Sequence, residues 1–357
     1  MKRLVLRDIL EMIGMGEPVQ EVDLSGLDLS GLDLSGGVFL KVVSTGTQFS
    51  GTILDRGFFK DCTLSGSNFT GTLFKETAFI DSDFSDSLFR EADGTGSRWV
   101  NADLSRSRIE RSKLTRSSFV KSNFVGVSFD GSDLEKASFI DGTFGETDFA
   151  RTRLIKTVFV NPDLSGSRFT EATFVNPIFV KAVMKGLDFS GLRIPMIQAI
   201  GSDLSNTRWT GADFSLGNFY QANLTDADFE GATGERVLFA EAVLAGVRAR
   251  NARFPMGSFQ KADLTAADFR GADLAFAPLT DARCMGLNFS GANLSFCDFS
   301  HADLTGAVFQ EADLSRANFH QSRESAAEFG GSTRSLARET DPERREAEDF
   351  QPRIFEG

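Results

Sequence analysis

The 357-residue chain carries a net charge of −12, 36 phenylalanines against two tryptophans and one tyrosine, and three cysteines. That balance disfavours nonspecific binding to nucleic acid, and Cys62, Cys284 and Cys297 show neither a disulfide framework nor a metal-ligand spacing. No run approaches the length of an apolar membrane span, and length alone would suggest two or three globular domains. At the start, residues 2–14 are predicted to form an amphipathic helix, with Leu4, Val5, Leu6, Ile9, Leu10 and Ile13 set among Lys2, Arg3, Arg7, Asp8 and Glu11. Gly14 and Gly16 end it and Pro18 prevents a restart. The charges at Arg7, Asp8 and Glu11 break any apolar run of signal-peptide length.

From Leu24 to Phe319 every fifth residue is nearly always Leu or Phe, over 60 consecutive positions with no slip of register. Only Ser44, Gly94, Ala199, Gly234, Ala249 and Cys284 depart from the large apolar type. The residue two places earlier is usually small, as at Ala102, Ser107, Ser112, Ala212, Ala222 and Ala267. A period of five is neither the 3.6 of a helix nor the 2 of a strand. It predicts a repeat architecture, and the unbroken register overrides the multidomain expectation from length.

Runs such as Ala262-Asp263-Leu264-Thr265-Ala266, Ala272-Asp273-Leu274-Ala275-Phe276 and Ala302-Asp303-Leu304-Thr305-Gly306 resemble the A(D/N)LXX signature of the pentapeptide-repeat family. That resemblance implies an all-β solenoid, a right-handed quadrilateral β-helix in which four pentapeptides make one square coil. The central residue and the small one two before it would point inward, the other three outward. One large and one small side chain per side fill a narrow interior without overpacking. Residues 21–322 would then make about 15 coils, preceded by an N-terminal capping helix over residues 1–20 and followed by a polar tail over residues 323–357. The second and fourth sides stack Phe on Phe, and a buried Phe ring needs no hydrogen-bond partner.

The outward positions differ from side to side. Before the centre of the second side, Asp148, Arg168, Asp188, Arg208, Asp228, Arg248 and Asp268 alternate in sign, which predicts an ion-pair ladder between stacked coils. After the centre of the fourth side come Ile80, Val100, Val120, Ile140, Val160, Val180, Ile200 and Tyr220, with Phe58, Val158 and Ile178 two places earlier in the repeat. Equivalent positions on the first two sides are polar, for example Ser65, Ser105, Glu110 and Thr170. A continuous apolar stripe of this kind predicts a partner-binding or self-association surface. Gly94 removes a core side chain and is expected to allow a kink or bulge. Between residues 182 and 201, Leu187, Leu192 and Ile197 enlarge the small slot and Pro195 is added, which predicts local repacking or a bent coil.

Beyond Phe319 the pattern fails, since Glu324 stands where an inward residue belongs. Asp341-Pro342-Glu343 is able to start a short helix, and Phe350, Ile354 and Phe355 stand alone in a polar tail, as a docking peptide or a segment that folds back. His301 and His320 each follow a central Phe on neighbouring coils and are expected as solvated surface side chains, with no carboxylate set completing a metal shell. Perfect register leaves no inserted loop to carry an active site, so the expectation is no catalysis, no cofactor and no metal. The function read from the sequence is a noncatalytic protein-interaction scaffold or adaptor, bacterial and cytoplasmic. Its partner would be another protein or a second copy, bound through the apolar stripe, with no direct nucleic acid and no membrane. Two alternatives come from the resemblance: a DNA mimic that binds DNA gyrase, of the quinolone-resistance type, and a secretion-associated adaptor or effector. The basic cluster Arg106, Arg108, Arg111, Lys113, Arg116 and Lys121 weighs against the DNA mimic.

Overall fold

The computed structural model describes residues 2–349. The chain divides into two compact units, the first made of Met1–Leu187 with Arg193–Asp203 and the second of Asp188–Leu192 with Leu204–Gly357. In each, the chain is a parallel β-solenoid whose rungs pair at a spacing of 20 residues, as at Ile53↔Leu73 and Asp228↔Arg248. In the first unit, for example, Leu54 N–H donates to Leu73 O at 2.6 Å while Ile53 N–H donates to Leu32 O at 2.8 Å.

The polypeptide begins with β1 (Lys2–Arg3), which pairs with β3 (Val22–Asp23). Between them lie α1 (Leu6–Gly14), shorter than the predicted 2–14 because β1 takes its first residues, and β2 (Val19–Gln20). The apolar face of α1 packs against β2 and buries Ile9 completely. Strands β4 to β9 follow at Val38–Leu40, Phe58–Lys60, Ala78–Ile80, Arg98–Val100, Ser118–Val120 and Ser138–Ile140. Then come β10 (Arg153–Ile155), β11 (Val158–Val160), β12 (Thr173–Val175) and β13 (Ile178–Val180). Nine of these form one parallel sheet on the fourth side, in the order β13-β11-β9-β8-β7-β6-β5-β4-β2. The coil count differs from the predicted figure of about 15. Three-residue strands define eight turns, Val38–Leu40 to Ile178–Val180, and elsewhere the pairing is carried mainly by single bridges such as Asp228↔Arg248.

The five positions of the repeat have separate physical jobs. The central residue and the one two before it are buried almost throughout. The Asp or Asn just before the centre turns back on its own chain: Asp263 Oδ1 accepts from Thr265 N–H at 3.0 Å and from its hydroxyl at 2.6 Å. That local bond offers the backbone a turn in place of a continued strand. The residue two after the centre takes the left-handed corner, as at Gly66 (φ 65°) and Arg106 (φ 58°), so glycine recurs there. Inside, Phe119, Phe139 and Phe159 stack with centroids 4.8 and 4.9 Å apart, close to the rung spacing. Trp99 and Trp209 need a partner for their indole N–H, and each finds the hydroxyl two residues earlier, Ser97 at 2.9 Å and Thr207 at 2.8 Å.

Two expected defects resolve differently. At Gly94 there is no bulge: its N–H keeps the ladder bond to Lys113 O at 2.8 Å, and the Phe74 ring lies where a Cβ would go. Gly234 is filled the same way, a Cβ there falling 2.6 Å from Phe214 Cε2. The enlarged residues Leu187, Leu192 and Ile197 lie where the boundary between the two units falls.

The second unit ends in a short 3-10 turn (Arg334–Leu336) and α2 (Pro342–Asp349), the helix expected from Asp341-Pro342-Glu343. Glu324, the charge in a central slot, accepts from Arg334 Nη2 at 3.0 Å. The Arg334 guanidinium lies 4.0 Å from the Phe319 ring centre and 5.2 Å from that of Phe329, so the last aromatic rungs are covered by a cation rather than by another ring. Phe350, Ile354 and Phe355 lie outside the described residues.

Candidate functional site

The fourth side of the first unit carries the predicted stripe on the outer face of the nine-stranded sheet. In each strand the middle residue is buried and its neighbours point outward, so Ile80, Val100, Val120, Ile140, Val160 and Val180 stack at consecutive ladder positions. They are half-buried rather than fully exposed, because parallel neighbours one rung away cover their flanks. Ile200 continues the column at 36% exposure. Phe58, Val158 and Ile178 stand in the adjacent column, where Arg98, Ser118 and Ser138 occupy the middle rungs. Tyr220 belongs to the second unit, where its hydroxyl donates to Glu241 Oε2 at 3.1 Å and receives Gln221 Nε2 at 3.2 Å. That carboxylate raises the Tyr220 pKa above the phenol's ordinary value.

The predicted charge ladder resolves into pairs. Arg168 reaches Asp148 at 3.1 Å, Arg208 reaches Asp188 at 3.1 Å and Arg248 reaches Asp228 at 2.9 Å, each Arg bonding back to the preceding coil. Asp268 instead holds two guanidinium groups, Arg270 and Arg250, both at 2.7 Å, and Arg270 foremost lowers its pKa to about 2. The basic cluster is partly neutralised too: Arg106 pairs with Asp86 at 2.7 Å, Arg108 with Glu110 at 2.7 Å and Arg111 with Glu91 at 3.0 Å.

The two histidines are not a solvated pair. His320 is 1% exposed, and α2 brings Glu348 onto both rings: Oε2 lies 3.0 Å from His320 Nε2 and 3.2 Å from His301 Nε2. The carboxylate that sequence reading found lacking therefore arrives from 28 residues downstream. Proton bookkeeping sets its role. Asp341 N–H donates to His320 Nδ1 at 3.1 Å, so the neutral ring carries its proton on Nε2 and donates to Glu348. A metal on that Nε2 would displace the proton to Nδ1, against the Asp341 N–H, whereas metal-bound histidines donate from their second nitrogen. Gln321 Nε2 adds a bond at 2.9 Å and Arg344 Nε another at 2.7 Å, and His320 foremost lowers the Glu348 pKa to about 2. The arrangement is a latch fastening α2 to the solenoid.

Burial raises the pKa of all three thiols, to about 11 at Cys62 and further at Cys284 and Cys297, so none is a ready nucleophile. Among the described residues no helix is long and apolar enough to cross a membrane.

One apolar surface escaped the sequence reading. At the corner preceding the fourth side of the second unit stand Leu216, Arg236, Met256, Phe276, Phe296 and Arg316, all with positive φ. Phe276 is 52% exposed and Phe296 42%, their rings stacked at 4.6 Å, and the Arg316 guanidinium lies 5.4 Å from the Phe296 ring centre. The signal was present as bulky apolar residues at a position that elsewhere holds Gly, Asn or a charge.

Comparison with known proteins agrees with this architecture. A family model described as pentapeptide repeats matches residues 102–141, 198–231, 218–254, 257–283 and 282–321, and a second, described as a pentapeptide repeat region, matches 45–119. No curated protein matches. Among solved structures, the chain is similar to HetL, a pentapeptide repeat protein involved in heterocyst differentiation regulation from the cyanobacterium Nostoc sp. strain PCC 7120. The identity is 20%, over 86% of this chain and 97% of that one, with a TM-score of 0.18. It is also similar to QnrB1, a plasmid-mediated fluoroquinolone resistance protein, with 20% identity over 64% of this chain and 96% of that one and a TM-score of 0.26. A pentapeptide repeat protein from the Arabidopsis thaliana thylakoid lumen matches at 28% identity over 33% of this chain and 65% of that one, with a TM-score of 0.12. With the repeat models covering most of the chain and the inward and corner positions placed as the repeat requires, the protein belongs to the pentapeptide-repeat family.

Proposed function

We propose that the protein is a noncatalytic scaffold that binds a partner protein through the outer apolar face of the nine-stranded sheet. The observation that carries this reading is the unbroken column Ile80-Val100-Val120-Ile140-Val160-Val180, set on a solenoid whose equivalent positions elsewhere are Ser105, Glu110, Asp130, Ser165 and Thr170. Strand preference alone would favour β-branched residues on every side. Completing the burial of six half-covered side chains contributes about 1 kcal/mol each, enough to supply the core of an interface with few polar contacts. The DNA-mimic alternative asks for an extended anionic surface, and here Asp148, Asp188 and Asp228 are each matched by an arginine.

Val120→Asp combined with Val160→Asp places two carboxylates in the column and leaves the Phe ladder intact. The double variant is expected to keep its circular dichroism spectrum and to lose the partner that the wild-type protein retains in affinity capture. Sedimentation equilibrium separates that partner from a second copy of the chain. Identical capture by both proteins rules the face out as the binding surface.

A further inference from the structure

We propose that the partner of the apolar face is an amphipathic helix with an acidic flank, laid lengthwise along the column from Ile80 to Val180. The inference rests on the reading of that face as a binding surface and adds the chemistry of its occupant. The two edges of the face differ. On the edge before the strands, the corner residues of three consecutive rungs are Arg116, Lys136 and Lys156, all exposed and all with positive φ. Arg98 stands on the face itself one rung earlier and is also exposed. Among the described residues, Lys136 is the only one of these four in an ion pair, with Glu135 at 3.3 Å. On the opposite edge the charge is mixed. Asn101 donates to Asp81 at 2.8 Å and Asn161 to Asp141 at 2.9 Å, with Lys121 between these pairs and Lys181 beyond them. A line of cations beside an apolar column, kept in a chain of net charge −12, is complementary to a surface that carries carboxylates.

The backbone sets the form of that partner. Inside the nine-stranded sheet every strand except the two outermost pairs on both sides, so the outer face offers side chains and no backbone partner. A segment lying on it must satisfy its own backbone, which a helix does alone. From Ile80 to Val180 the column rises five rungs, about 24 Å, the length of a helix of about 16 residues. A helical turn advances about 5.4 Å against about 4.8 Å per rung. Carboxylates one turn apart on the helix therefore fall beside Arg116, Lys136 and Lys156 in succession. A lipid surface suits the face less well. The column from Ile80 to Val180 holds no aromatic residue and its side chains are half-buried, whereas anchors to a lipid interface are protruding Trp, Phe and Leu.

The probe is a fluorescein-labelled synthetic helix of about 16 residues, with Leu at every third and fourth position and Glu along one flank. Its twin carries Lys in place of Glu. By fluorescence anisotropy the full chain is expected to bind the Glu peptide at least about tenfold tighter than the Lys peptide, with the gap shrinking as salt rises. Arg116→Glu, Lys136→Glu and Lys156→Glu together should invert that preference, and the gained affinity for the Lys peptide shows that the variant is folded. Val120→Ser with Val160→Ser leaves the charge unchanged and should weaken both peptides. A triple variant that keeps the wild-type preference overturns the acidic partner and leaves the face standing as a binding surface. A Val120→Ser, Val160→Ser variant that binds both peptides as wild type does removes the face itself, and this proposal with it. Equal or absent binding of the two peptides to wild type also overturns the proposal. So does wild type that sediments with phosphatidylserine vesicles and ignores the Glu peptide, or a dimer in sedimentation equilibrium that excess Glu peptide leaves intact. The first would make a lipid surface the occupant, the second another copy of the chain.

Discussion

The two units place the same repeat on the same backbone and fill it with different chemistry. In the first, the small inward slot from Thr47 to Thr157 is mostly Ser or Thr, and the hydroxyl donates to a carbonyl of the preceding coil: Thr52 to Leu29 O at 2.8 Å, Thr72 to Phe49 O at 2.6 Å, Thr77 to Leu54 O at 2.7 Å. In the second, the slot from Ala212 to Ala317 is mostly Ala, which has no donor to offer, and a carbonyl such as Phe219 O is met by the backbone, from Ala222 N–H at 3.0 Å, while Cys297 Sγ reaches Leu274 O at 3.0 Å. Outside, the apolar surface changes place. In the first unit it is the fourth side, Ile80 to Val180, with a charged corner at Arg116, Lys136 and Lys156. In the second the fourth side turns polar at Gln260, Thr280 and Ser300, and the corner carries Met256, Phe276 and Phe296. The core rule therefore constrains two positions in five and leaves the surface free to be written separately for each unit. Each unit also carries its own reporter, Trp99 in the first and Trp209 in the second, so single-tryptophan variants report the unfolding of each unit by itself.

The largest expected effect comes from restoring the repeat where it is broken. On the third side Leu is the usual central residue, so repeat logic alone makes Gly94→Leu stabilising. The Phe74 ring already occupies that space, and overpacking should lower the stability of the first unit by about 3 kcal/mol, read as an earlier Trp99 transition in denaturant. Gly234→Leu should do the same to the Trp209 transition, since Phe214 and Phe254 converge there. A gain at either site would mean the rings move away freely and that the glycines are accidents of the repeat.

Next in size is the inward hydroxyl. Thr72→Ala removes a buried bond of 2.6 Å but leaves Phe49 O its contact with Thr52 N–H at 3.0 Å. A loss of about 1 kcal/mol in the first unit is expected. The reciprocal Ala267→Ser in the second unit offers Leu244 O the same bond and should stay within about 0.5 kcal/mol of wild type. If Ala267→Ser is as damaging as Thr72→Ala, the two slots are not interchangeable and the units differ in coil geometry as well as composition.

These contrasts also show what could be read from the sequence. The period of five left one architecture, because no helix or flat strand repeats that way, and it fixed which positions face inward down to Ser97 and Thr207. Pairing across coils was legible only as a list of candidates. Arg168 and Asp148 are 20 residues apart and were expected to pair, but the two arginines on Asp268 depend on side-chain reach, which a pattern does not contain. His320 was misread because its burial depends on α2 returning to it from 28 residues downstream. The corner ridge does not show in the residues immediately flanking the centre, because Phe276 and Phe296 sit two places beyond it.

The smallest effect concerns those charges and separates two kinds of pair. Asp148–Arg168 is a single contact to an exposed guanidinium, so Asp148→Asn should cost well under about 1 kcal/mol and less in high salt. Asp268 accepts from Arg270 and Arg250 together, and its folded pKa of about 2 lies below the ordinary 3.8. A depressed carboxylate contributes its stability fully above the unfolded pKa and loses it as the pH falls through the folded one. Asp268→Asn should therefore destabilise the second unit at neutral pH, by no more than about 1 kcal/mol given the solvent screening of both arginines. The difference from wild type should fade between pH 3.8 and about 2. A gap between Asp268→Asn and wild type that persists below that window would rule out the ion pairs as its cause, because Asn keeps an Oδ1 able to accept from the Arg270 backbone N–H, as Asn288 does from Ser290 at 3.0 Å. The charge of Asp268 would then contribute nothing to the ladder.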